Sequence, residues 1–385
     1  MDREKTIAVL GATGSVGRQA LDVARERGYR VDLLTAARSA GAIEPIARLH
    51  RPRTVVLTDP AAARDLKCRL ADTDIRVFGG EQAQIAAIAE SRADCLINAV
   101  SGAAGLRPTL AVLETGKRLA LANKESLVLA GEHVMRAARA RGVELIPVDS
   151  EHSAIFQSLR AGDPARIRRL LLTASGGPFF GCSREQLAAV TPVAALAHPT
   201  WRMGEKITVD SATLMNKGFE VIEAMHLFGV SPERIEVLVH RESILHSAVE
   251  FEDRAVIGEF SLPDMRMCVQ YAVDHPDRFP SARPALDLAA LGALTFAKPD
   301  GETFPLLPLA FRAATDGGVM GAVLNAADEV AVSAFLKGEI SLPALFDVVC
   351  RVYERMLSQN TDASLDRIFD ADAVARRYAA EEIAR

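Results

Sequence analysis

Short apolar runs separated by amphipathic stretches fill the chain up to about residue 150. The runs are "TIAVL" from Thr6, "RVDLLTA" from Arg30, "RTVVLTD" from Arg53, "IRVF" from Ile75, "DCLINAV" from Asp94, "RLALAN" from Arg118 and "VELIPV" from Val143. Between them, segments such as "GRQALDVARERG" and "EQAQIAAIAESR" carry apolar residues at helical spacing. Strands alternating with helices predict an α/β fold whose N-terminal part is a Rossmann-like, doubly wound parallel sheet. Beyond Asp149 the texture changes. "RIRRLLLTAS", "RIEVLVH", "HSAVEFED" and "AVIGEFSL" read as strands, the last two joined by a tight turn near Asp253. Their alternation of polar and apolar positions predicts an antiparallel sheet with one wet face, in an α+β domain. A proline-rich stretch follows, and the tail from "LPLAFRAATDGG" onward is helical by spacing, which predicts a C-terminal helical bundle. The expected division is 1–149, 150–275 with a mobile loop at 197–205, a linker at 276–301, and 302–385.

Composition narrows the classes without choosing one. Of the 385 residues, 49% are hydrophobic and 25% charged, and the net charge of -5 offers no electrostatic footprint for nucleic acid. The opening "MDREKTIAVL" lacks the pattern of a signal peptide. Leu187–Trp201 carries no charge, but it is too short for a bilayer and is broken by Pro192 and Pro199. No membrane and no nucleic-acid partner is expected. The five cysteines are scattered and contain no CxxC pair, as expected of reduced thiols in a cytoplasmic protein.

Four stretches carry candidate chemistry. The first, Gly11-Ala12-Thr13-Gly14-Ser15-Val16-Gly17, follows the first predicted strand and opens a helix, where free N–H groups suit a pyrophosphate. The second strand ends in "TAARSA", with Arg38 and Ser39 in place of the acid that a ribose-binding NAD site wants, which argues for NADP(H). In the second stretch, "LALANKESLVLAG", Asn123, Lys124 and Glu125 follow a strand end. Lys124 there suits an anionic substrate, while Asn123 and Ser126 also suit a plain helix cap. In the third, "VDSEHS", an extended backbone would turn Asp149 and Glu151 toward one point. The fourth is "TASGGPF" with "HPTWRMGEKITVDSATLMNKG". Ser175, Ser211, Asn216 and Lys217 form a phosphate toolkit of hydroxyls, an amide and an ammonium, and the segment with His198, Trp201, Met203 and Gly204 suits a ligand-covering loop. Turn hydroxyls and a solvated lysine would look the same. In the helix that follows, Met215, Phe219, Ile222 and Met225 form a core stripe, with Asn216, Glu220 and Glu223 alongside. Asp149, Glu151 and Glu220 together would offer three carboxylates to a hard dication, or equally be a solvated acidic loop and a surface glutamate.

These residues also carry a family resemblance. "LGATGSVG", "LANKESLV", "PVDSEHSAIFQSL", "LTASGGPF", "HPTWRMGEKITVDSATLMNKGFEVIEA", "ILHS", "LPDM", "LTFAKPD" and "LNAADEVAV" run in the same order as in the 1-deoxy-D-xylulose 5-phosphate reductoisomerase family. The chain resembles that family from end to end. The resemblance implies an NADPH-dependent enzyme that rearranges and reduces this phosphosugar to 2-C-methyl-D-erythritol 4-phosphate, acting as a homodimer. It implies Asp149, Glu151 and Glu220 as ligands of Mg²⁺, Mn²⁺ or Co²⁺, and Lys124, Ser150, Glu151, Ser175, His198, Ser211, Asn216, Lys217 and Glu220 around the substrate, with Trp201 in the covering loop. It implies Thr13, Gly14, Ser15, Val16, Ala37, Arg38, Ser39, Asn123, Glu125 and Gly204 around NADPH, and Lys124 and His198 as groups that orient oxygens or move protons. The chain departs from the family pattern at Ala12, Ala37 and Arg38, and at Arg241-Glu242, where Pro-Gln is common. Two other readings remain: another NADP-dependent oxidoreductase, such as a semialdehyde dehydrogenase with a reactive cysteine, and a non-catalytic NADPH-sensing regulator.

Overall fold

Each of the seven early runs becomes a strand of one sheet in the computed structural model, which describes residues 5–385. The strands are β1 (Thr6–Leu10), β2 (Arg30–Ala36), β3 (Thr54–Leu57), β4 (Arg76–Gly79), β5 (Cys95–Asn98), β6 (Arg118–Leu121) and β7 (Leu145–Pro147). All pair in parallel, in the order β4-β3-β2-β1-β5-β6-β7. Continuous apolar strands need both faces covered, and β1, β3 and β5 supply fully buried runs. Strand order reverses between β1 and β5, which opens a crevice beyond their carboxyl ends. This sheet belongs to the first of two units, built from the chain up to Ser126, Val134–Ser153 and Asp264–Arg283. The last segment is anchored there by Asp274, whose buried carboxylate accepts from Lys5 Nζ at 2.8 Å and Tyr29 Oη at 2.6 Å.

The second unit comprises Leu127–His133, Ala154–Pro263 and Pro284–Arg385. Its sheet has the order β11-β10-β8-β9, with β8 (Ile167–Ala174), β9 (Ile235–Val239), β10 (Leu245–Phe251) and β11 (Val256–Phe260). The expected antiparallel sheet is instead mixed. β8 and β9 run parallel, because the chain between them passes through the helices Glu205–Ala212 and Met215–Phe228 before it returns. Nor is β10 wet on one face, since all its residues are buried. Its polar positions are paired rather than solvated: Glu250 accepts from Arg168 Nη1 at 2.9 Å, and Ser247 Oγ accepts the Thr173 N–H at 3.1 Å. The tail forms the helices Leu306–Asp316, Met320–Leu336, Leu342–Leu357 and Leu365–Ile383, which close around fully buried Phe335, Phe346 and Tyr353.

A second correction concerns "VDSEHS". The chain does not stay extended after β7 but enters the helix Ser150–Ser158, with the Ser153 N–H donating to Asp149 O at 2.7 Å. Asp149 therefore precedes a helix and Glu151 lies in its first turn. Both are acids at the positive end of a helix dipole, rather than alternate residues of a strand.

Candidate functional site

The turn Gly11–Gly17 is built by close approach. The Gly11 and Ala12 N–H groups both donate to Thr35 O, at 3.1 and 2.8 Å, which binds the turn to the end of β2. A Cβ on Gly17 would collide with the Gly11 carbonyl oxygen, so the helix Ser15–Arg27 can start this close only with glycine there. Gly14 caps that helix without a side-chain hydrogen bond, and Gly14 and Ser15 are exposed. Ala37, Arg38 and Ser39 are exposed at the adjacent strand end. Asp59, at the end of β3, commits its carboxylate to the N–H groups of Ala61 and Ala62, both at 2.8 Å. The structure thus joins Thr13, Gly14, Ser15 and Val16 to Ala37, Arg38 and Ser39 at the carboxyl ends of the neighbouring strands β1 and β2.

At the ends of β6 and β7, which pair in parallel, a second group assembles. Buried Lys124 forms an ion pair with Asp149, and Ser150 Oγ donates to Glu151 Oε2 at 2.6 Å. Asn123 is 1% exposed. Its amide donates to Val100 O at 2.8 Å, Gly102 O at 3.0 Å and Glu125 Oε2 at 2.7 Å, while its oxygen accepts the Ser126 N–H at 3.0 Å. Asn123 and Glu125 therefore shape the loop after β5 and start the helix Glu125–Arg141.

In the second unit, β8 runs into Ser175-Gly176-Gly177, whose glycines have φ of 76° and 66°. A Cβ on Gly177 would lie 2.5 Å from Ser211 O, so glycine lets this turn press against Ser211. His198 Nδ1 accepts the Thr200 and Trp201 N–H groups at 3.1 and 2.9 Å. Its proton is therefore on Nε2, which donates to Ser175 Oγ at 3.0 Å. Burial, and then the nearby Arg241 cation, hold the imidazole below its ordinary value, so it is neutral at physiological pH. Ser175 Oγ also accepts the Gly177 N–H, at 3.3 Å, which leaves its own proton to donate to an anion. Trp201 packs edge-on against His246 with centroids 6.1 Å apart. Gly204 opens the helix Glu205–Ala212, which carries Ser211.

The helix Met215–Phe228 is buried through Lys217–Ala224, more than its apolar stripe alone requires. Leu214, just before it, has φ of 60°, a left-handed conformation that costs a leucine about 1 kcal/mol or more and sets the angle between the two helices. Glu220 is 1% exposed, accepts from Asn216 Nδ2 at 2.5 Å and pairs with Lys217, itself 3% exposed. Sequence reading missed Lys206, which bridges Asp210 at 2.6 Å and Asp328 at 2.8 Å and lies 4.6 Å from the Phe219 ring centre. It ties the Ser211 helix to the C-terminal bundle. Burial pushes the Asp328 carboxyl up.

Each unit thus presents carboxylates matched with a lysine: Asp149 with Lys124, and Glu220 with Lys217. Hard oxygen donors of this kind suit Mg²⁺ or Mn²⁺ rather than a soft metal. In β5, burial pushes the Cys95 thiol up to about 12, far from the range of a reactive thiolate.

Comparison with known proteins extends this picture over the whole chain. Family models described as 1-deoxy-D-xylulose 5-phosphate reductoisomerase, its C-terminal domain, and the DXP reductoisomerase C-terminal domain match residues 7–131, 145–228 and 260–378. The 1-deoxy-D-xylulose 5-phosphate reductoisomerase of Symbiobacterium thermophilum is 50% identical, covering 99% of this chain and 100% of its own. That of Xanthomonas campestris pv. campestris is 50% identical, covering 97% and 95%. The solved Zymomonas mobilis reductoisomerase in complex with NADPH is 40% identical with a TM-score of 0.89, covering 99% of both chains. A DOX-P reductoisomerase structure with NADPH, fosmidomycin and magnesium is 36% identical with a TM-score of 0.94, covering 99% of this chain and 98% of that one. The chain belongs to the 1-deoxy-D-xylulose 5-phosphate reductoisomerase family.

Proposed function

We propose that the protein converts 1-deoxy-D-xylulose 5-phosphate to 2-C-methyl-D-erythritol 4-phosphate, using NADPH and a divalent cation, in non-mevalonate isoprenoid biosynthesis. The observation that carries this reading is the match along the whole chain to relatives of that name. Two groups supplied from outside provide the chemistry: a Mg²⁺ or Mn²⁺ ion as Lewis acid toward the ketone and its neighbouring hydroxyl, and the reduced nicotinamide as hydride donor to the rearranged aldehyde.

The chain's own residues bind, orient and exclude water. Backbone N–H groups of Thr13, Ser15 and Val16 receive the pyrophosphate beside Gly14, whose own N–H donates to Gly11 O at 3.0 Å, with Ala37, Arg38 and Ser39 at the adenosine end. Asn123 and Glu125 contribute through the loop they hold, and Gly204 through the start of its helix. Asp149, Glu151 and Glu220 hold the dication. Ser150 and Lys124 face the substrate oxygens. Ser175, Ser211, Asn216 and Lys217 take the phosphate, and His198 and Trp201 belong to the loop at 197–205 that covers it. With a dication held by Asp149 and Glu220, the ammonium groups of Lys124 and Lys217, now paired with those acids, would be able to turn to the substrate's negative oxygens, which would couple metal loading to substrate binding. Remote binding energy from the phosphate then supports loop closure.

The expected assembly is a homodimer. β11 supports it: this strand forms one edge of its sheet and leaves Val256, Ile257 and Phe260 at 54%, 37% and 46% exposure. A cytoplasmic location agrees with five free cysteines, and among the described residues no helix is long and apolar enough to cross a membrane.

Adding 1-deoxy-D-xylulose 5-phosphate to the protein with NADPH and Mg²⁺ is expected to consume NADPH and yield the branched tetritol phosphate. A protein that binds both and oxidises no NADPH would overturn the reading. Arg38→Ala is expected to raise the KM for NADPH roughly tenfold, as for a lost charge-assisted contact, and to leave the KM for NADH nearly unchanged. Equal effects on both would remove Arg38 from the 2′-phosphate.

A further inference from the structure

Arg241 occupies a position that no spacing argument singles out. It follows β9, and because β9 runs parallel to β8 with Val239 registered on Ala174, the two strands end side by side. The His240 N–H donates to Ala174 O at 2.7 Å and fixes that proximity. From there Arg241 Nη1 donates to Ser175 O at 3.0 Å and to Gly177 O at 2.6 Å, and the guanidinium lies 5.4 Å from the centre of the Phe180 ring. The next residue fastens the other side of the same turn. Glu242 accepts from Thr295 Oγ1 at 2.7 Å and lies 3.0 Å from His240 Nδ1. Arg241-Glu242 thus joins the Ser175–Gly177 turn to the segment carrying Thr295.

We propose that Arg241 is a positioning residue for the phosphate end of the substrate, an inference that rests on the phosphosugar reading above. Two carbonyl oxygens in the Ser175–Gly177 turn would repel an anion arriving there. The guanidinium draws both to itself, caps their negative ends and adds a permanent positive charge behind the turn. With the carbonyls tied back, the Ser175 hydroxyl keeps its contacts with His198 Nε2–H and the Gly177 N–H, and its own proton remains to donate to an anion. Lysine cannot reproduce the role in full, because a single ammonium lacks the planar fork that spans two carbonyls beside an aromatic ring.

The test compares wild type, Arg241→Ala and Arg241→Lys as intact holoenzymes, measuring KM for the phosphosugar, kcat, KM for NADPH, and competitive inhibition by inorganic phosphate. Arg241→Ala is expected to raise the phosphosugar KM about tenfold and to weaken phosphate inhibition by a similar factor. Its kcat should change by less than about threefold and its NADPH KM should be unchanged, with Arg241→Lys in between. Losses in kcat alone, or unchanged phosphate inhibition in both variants, would overturn the proposal. Should Arg241→Ala fail to fold, Arg241→Lys carries the same comparison. A wild type that turns over while both variants match it refutes only the role of Arg241. A wild type that does not turn over refutes the functional reading itself.

Discussion

Glu220→Gln is expected to lose turnover by about a hundredfold or more, with NADPH binding intact. The substitution removes one negative charge and almost no volume. Gln keeps one acceptor oxygen for Lys217, while its NH2 faces Asn216, so the buried helix Met215–Phe228 keeps its volume and part of its contacts, and a thermal melt checks that the variant is folded. What it cannot supply is an anionic oxygen for a dication. The nucleotide turn at Gly11–Gly17 belongs to the other unit and contains no part of this helix, so cofactor affinity should be untouched. Steady-state kinetics at saturating Mg²⁺, alongside NADPH binding by fluorescence, separates the two effects. Near-normal turnover would remove Glu220 from the metal set.

Lys217→Met should produce the largest change in stability. Lys217 and Glu220 are 3% and 1% exposed, so their pair is shielded from water on nearly all sides. Removing the cation leaves a buried carboxylate that keeps its hydrogen bond from Asn216 but loses its ion pair, at a cost of about 3 kcal/mol. Thermal melts in metal-free buffer should show a clear drop relative to wild type. Added Mg²⁺ should recover more stability in the variant than in the wild type, because the carboxylate then meets a dication without a competing ammonium. A melt that matches wild type without metal would show that the pair contributes little, and would weaken the lysine-for-metal exchange.

The nucleotide sheet was legible because its strands are continuous apolar runs, and such runs at helical intervals leave few alternatives to a parallel sheet. The same rule misled at Asp149. The apolar run "VELIPV" suggests an extended continuation through "VDSEHS", although Asp149-Ser150 followed by Glu151 is a helix start with an acid in its first turn. In the second sheet, the polar positions of "HSAVEFED" suggest a wet face, yet His246, Ser247 and Glu250 are buried. Those side chains are buried because Arg168, Arg169, the Thr173 N–H and Ser261 O lie across from them. Partners that distant in sequence leave no local trace. Arg241 on Ser175 and Gly177, and Lys206 on Asp328, were invisible for the same reason: each pairing depends on which strand ends or helices the fold brings alongside. The residue types at these positions, Lys124 and Lys217 among them, are visible in the sequence, while the pairing of Lys124 with Asp149 and of Lys217 with Glu220 is not.

The central claim is one divalent ion held by acids from the turn after β7 and from the helix Met215–Phe228. A crystal of the protein grown with Mn²⁺ and measured at the manganese absorption edge tests it most directly. The expected result is a single anomalous peak about 2.2 Å from oxygens of Asp149, Glu151 and Glu220, with Lys124 and Lys217 turned away from those oxygens. A peak elsewhere, or those carboxylates still paired with their lysines while Mn²⁺ supports turnover, would contradict it.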